Sequence, residues 1–102
     1  MTDEQIDAIW RKAREEIVAI DVEAEKQIVA TWKKVGEKIA AVLQKAGEEA
    51  QGVKEEVAAI RQEASEEVVV IREKAYKQTT SIWRKARKEV ATIRLGSEGR
   101  KS

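Results

Sequence analysis

The chain has 102 residues, 38% of them charged and 4% aromatic, a formal net charge of +1, and no Pro, Phe, His or Cys. That leaves room for one domain, removes the usual zinc, iron–sulfur and haem ligands along with thiol and imidazole catalysis, and gives no net field to draw the chain to nucleic acid or an anionic membrane. No apolar run is long enough for an ordinary transmembrane helix, and the acidic start MTDEQIDAIW is neither a signal nor a transit peptide, so a cytoplasmic product of expression without targeting is expected.

Ala, Glu, Lys, Arg, Gln, Ile and Val dominate, and with no Pro only five glycines punctuate the chain, so it is expected to be all-α. Thr2 and Gln5 fit a capping box, and Asp3 and Glu4 stand where the helix dipole favours anions. These signals place a first helix over about residues 3–46, with Gly36 kept inside it because Ile39, Val42 and Ala46 hold the upstream register. Gly47 suits a left-handed helix cap, so GEEAQG is expected to form a turn at about residues 47–52. A second helix follows over about residues 53–95, and a polar tail, GSEGRKS, over about residues 96–102.

The charges favour folding the two helices back on each other. Residues 48–70 carry seven acids and two bases, and residues 71–102 carry ten bases and three acids. Antiparallel pairing sets the acidic start of each helix beside the basic end of the other, as the dipoles prefer. In that hairpin, over residues 1–95, residue i stands level with about residue 99 minus i.

The apolar pattern repeats every eleven residues. Ile6, Ile17, Ile28 and Ile39 form one column, and Ile60, Ile71, Ile82 and Ile93 another. Ala13, Ala24, Val35 and Ala46 accompany the first, and Val57, Val68, Thr79 and Val90 the second. Eleven residues in three turns keep a seam nearly straight, unlike a heptad. Further strips stand off this seam: Ala8, Ala19, Ala30 and Ala41, then Val18, Val29 and Ala40 in the first helix. The second carries Ala58, Val69, Thr80 and Ala91, with Ala59, Val70, Ser81 and Thr92 one residue around. One partner cannot cover strips so far apart, so each helix is expected to touch at least two neighbours and the chain to self-associate.

No residues compose a catalytic, metal or cofactor site. GEEAQGVK puts Val53 where a phosphate-binding loop needs Lys and follows a helix instead of a strand. Adjacent glutamates such as Glu15/Glu16 and Glu66/Glu67 splay about 100° apart on a helix and do not converge on a metal. Ser65 and Ser81 have no His to activate them.

Trp10, Trp32 and Trp83 each precede basic residues, yet three tryptophans on a balanced charge make a poor nucleic-acid surface. Trp10 and Trp32 are 22 residues apart, about 33 Å of helix, near the hydrocarbon thickness of a bilayer. Trp83 returns to the height of Trp10, which suggests an aromatic and basic collar. The charges between Trp10 and Trp32, among them Arg14, Glu15, Asp21 and Lys26, forbid membrane insertion as written. Asp21 shares a height with Gln78, Thr79, Thr80 and Ser81, a set that could form a polar layer fixing register or facing a water-filled interior.

Uniform Ile columns, Ala/Glu/Lys/Arg filler, dipole-matched charge and the absence of Pro, Cys and His resemble a de novo designed helical hairpin, over residues 2–95. The extra strips and the tryptophan spacing look most like hairpins that assemble into water-soluble multi-helix barrels or pores. The resemblance implies a synthetic, non-enzymatic scaffold whose partner is itself, a cyclic homo-oligomer of about four to eight chains around a polar lumen. Two natural alternatives share the eleven-residue repeat: a coiled-coil stalk module, whose helices run parallel, and an amphipathic protein of lipid surfaces. The second needs one broad sector rich in Leu and Phe, whereas Leu occurs here only at Leu43 and Leu95.

Overall fold

The computed structural model describes residues 2–45 and 50–101. Two α-helices account for all of them: α1, Thr2–Lys45, and α2, Ala50–Lys101. They pack against one another as the hairpin that the charge pattern predicts. The parallel pairing of a stalk module is therefore not made within the chain.

The helix limits differ from the expectation mainly in α2. It begins at Ala50, inside the segment expected to turn, and continues through the segment expected as a polar tail. Gly52 and Gly96 explain this: each sits in helical backbone with open space where a Cβ would project. A glycine that needs no left-handed conformation weakens a helix without ending it. Gly36 stays inside α1 on the same terms. The earlier start leaves the first turn of α2 without an acid, whereas α1 has Asp3 and Glu4 in its first turn and Lys45 in its last. Gly47 and Ala46, expected at the turn and at the end of the first helix, lie outside the described residues.

Contacts divide the chain into two units. The first joins Met1–Val22 with Ala75–Ser102. Its buried core is small, formed by Ala13 and Ala86, each 4% exposed, and Val90. Ile6, Ile17, Ile82 and Ile93 flank them half-buried. Trp10 and Trp83 meet with ring centroids 5.4 Å apart and planes tilted at 48°. This confirms that antiparallel folding brings Trp10 and Trp83 to one height.

The second unit is Glu23–Lys74. Ile28 and Val35 from α1 and Ala64 and Val68 from α2 are buried, with Ile39, Ile60 and Ile71 half-buried around them. Thr31 is also buried, at 9% exposure. Its Oγ1 donates a 2.9 Å hydrogen bond to the Gln27 carbonyl one turn back. That bond satisfies the hydroxyl within its own helix.

The seam thus has three columns per helix, one more than the two stated above. The additional column is Ile9, Ile20, Thr31 and Val42 in α1, and Val53, Ala64, Ala75 and Ala86 in α2. All eight residues are buried or half-buried, and the eleven-residue step holds at every one.

Candidate functional site

The described residues contain no group of three or more Asp or Glu placed to hold a metal ion. Two open grooves lie in the first unit. One, of about 290 Å³, runs along the seam past Ile9, Ala13, Ile82 and Ala86 and is edged by Lys12, Glu16, Lys85 and Glu89. The other, of about 460 Å³, lies beside Trp10, Val90 and Leu95 under Arg87 and Arg94. Neither holds a nucleophile with a base to activate it. No described helix is long and apolar enough to cross a membrane.

Of the tryptophan collar, the structure brings Trp10 and Trp83 together, while Trp32 is 44% exposed. Of the five residues expected at a polar layer, Asp21, Gln78 and Ser81 are exposed, and Thr79 and Thr80 are half-buried. Thr79 Oγ1 donates to the Tyr76 carbonyl at 3.0 Å, so its hydroxyl is served by its own helix. No buried layer joins the five within the hairpin. The hydroxyl that is buried in a seam belongs to Thr31, which the eleven-residue step from Ile9 and Ile20 could have revealed.

The fold also leaves large apolar side chains uncovered. Val18, Val22, Tyr76 and Leu95 in the first unit, and Val29, Trp32, Leu43, Val69 and Val70 in the second, are all exposed. Their placement follows from helical rotation of about 100° per residue. In the second unit Trp32 and Leu43 stand about 70° around α1 from the seam and Val29 about 130° in the same sense, whereas Ala30 and Ala41 stand about 130° to the other side. On α2, Ala58 and Val69 lie in the first sense of rotation from the seam, and Ala59 and Val70 in the second.

In an antiparallel pair, residues turned the same way from their own seams share a broad face. The second unit therefore has a front bearing Val29, Trp32, Ala40, Leu43, Ala58 and Val69, and a back bearing Ala30, Ala41, Ala59 and Val70. Charge divides along the same line. Exposed Lys54, Arg61 and Arg72 of α2 flank the front, while exposed Glu56, Glu63 and Glu67 flank the back, where Lys74 at the unit's end is the one α2 base. On α1 the order reverses, with Glu25 on the front and Lys34 and Lys38 on the back beside Glu23.

Comparison with protein-family models, with curated proteins and with solved structures finds no match to this chain.

Proposed function

We propose that this chain is a non-catalytic structural scaffold that assembles with copies of itself into a closed ring of hairpins. The observation that carries the proposal is uncovered surface. The chain exposes 8406 Å², against about 5,800 Å² for a compact folded monomer of its mass. The excess of about 2,600 Å² leaves area of interface size for contact with other chains. The exposed valines, Trp32 and Leu43 give that surface an apolar centre within a charged surround, as assembly interfaces have.

A ring whose members each touch two neighbours accounts for apolar strips on opposite broad faces, which a single two-helix contact leaves unused. In the proposal the ring encloses a polar lumen lined by α2.

Light scattering or native mass spectrometry at micromolar concentration tests the assembly. The expected species contains about four to eight copies of the 11.5 kDa chain. A monomer at that concentration would overturn the proposal. A ring with a stain-filled centre in electron micrographs is the expected image; a filled disc would remove the lumen and leave the scaffold.

A further inference from the structure

We infer that the groove beside Trp10 in the first unit binds a small aromatic anion, an arenecarboxylate or arenesulfonate, through Arg87 and Arg94. This goes beyond the scaffold and holds for each chain by itself.

The chain supplies its own comparison. IWRKAREEIVAI from Ile9 and IWRKARKEVATI from Ile82 are 73 residues apart. Residues so paired stand at the same rotation from the seam of their own helix, with buried Ala13 and Ala86 at the two centres. The groove is lined by Trp10 with Arg87, Val90, Ala91, Arg94 and Leu95. Its equivalents are Trp83 with Arg14, Ile17, Val18, Asp21 and Val22. Ile17 and Val18 thus become the smaller Val90 and Ala91, which deepens the floor, and Asp21 becomes Arg94. Space and positive charge are added in one place. The helix dipole accounts for bases near the end of α2, but not for the smaller floor beneath them.

Among the described residues the lining holds no acid. Residues 77–96 carry six bases and one acid, Glu89, which edges the other groove. On α2, Arg87 has no acid three or four residues away, and Arg94 has only Glu98. On α1, Asp3 and Asp7 come nearest in height. They are turned about 100° and 130° from the seam, in the same sense as Trp10 at about 65°, so the indole stands between them and α2.

Arg87 and Arg94 are exposed, and they lie about 10.5 Å apart along α2 with Ala91 between them. A guanidinium offers a planar fork of N–H donors that matches the oxygens of a carboxylate or sulfonate. Trp10, Val90 and Leu95 supply apolar walls, and an aromatic ring stacks on an indole. The volume of about 460 Å³ is that of a small-ligand site.

Titration with anilinonaphthalenesulfonate, followed by its fluorescence, tests the site, with phenylnaphthylamine as the same aromatic body without the sulfonate. Ala91→Val with Arg94→Asp gives the groove the residues of its equivalent, and sulfonate binding is expected to weaken at least about tenfold. Arg87→Gln with Arg94→Gln removes charge without filling space. The same loss is expected, while the neutral amine binds this variant and the unmodified chain alike. All these positions are exposed, so helical circular dichroism should not change. Dye held at Trp32 or the exposed valines contributes equally to every protein compared. Sulfonate affinity that stays within about twofold in the glutamine variant overturns the site. A lower mass for that variant by light scattering means that the two arginines hold a second copy instead, and overturns it equally. A monomeric unmodified chain would sink the ring and leave this test as it stands.

Discussion

The two units use one eleven-residue frame and fill it differently. Met1–Val22 with Ala75–Ser102 closes over Ala13 and Ala86 and adds an aromatic contact between Trp10 and Trp83. Glu23–Lys74 closes over Ile28, Val35 and Val68, with one hydroxyl at Thr31 and no aromatic pair. Its tryptophan, Trp32, is turned outward. The difference separates two uses of the same residue type. Two tryptophans are consumed in joining the helices of one chain, and the third is left exposed.

Substitutions can break or sharpen this contrast. The largest effect is expected at the centre of the second unit, where Val68→Asp puts an unpaired carboxylate into a buried seam and should cost about 3–5 kcal/mol. Chemical denaturation followed by circular dichroism should show a chain that is barely folded in water. Next, Trp10→Ala removes one ring of the aromatic pair and part of its buried area, a loss of about 2–3 kcal/mol. Tryptophan emission should shift to the red as Trp83 meets water, and an unshifted spectrum would mean that the pair contributes no burial.

Gly36→Ala should stabilise α1 by about 1 kcal/mol, because the added methyl meets open space and the helix loses its most flexible residue. The denaturation midpoint reads this directly. The smallest change is expected from Thr31→Val, which keeps the shape, removes a hydroxyl bonded only to its own helix and raises stability by about 0.5 kcal/mol. A loss of stability there would show that the hydroxyl does more for the second unit than serve its own helix.

The Ile columns were legible because a large apolar residue recurs without exception at one step, and the hairpin followed from charges that only antiparallel helices reconcile. The third seam column was hidden by its composition. In α2 it is mostly alanine, and Ala64, Ala75 and Ala86 are indistinguishable by type from Ala58 or Ala91 on the exposed surface. Thr31 escaped for the converse reason, being a polar residue in an apolar position. The ends of α2 were misplaced because glycine permits both a helix and its termination. The polar set at Asp21 was drawn from shared height alone. Height does not fix the rotational position of a side chain, and rotation places Asp21, Gln78 and Ser81 outside the seam.

An eleven-residue repeat also makes each helix a ruler, graduated in steps of about 16.5 Å. One whole graduation closes three turns, so adding or deleting it leaves every face pointing where it was. An insertion of five residues would instead turn everything beyond it by about 140°. Length and sidedness are therefore independent variables in this chain. Eleven residues added to each helix at matched heights change only the first.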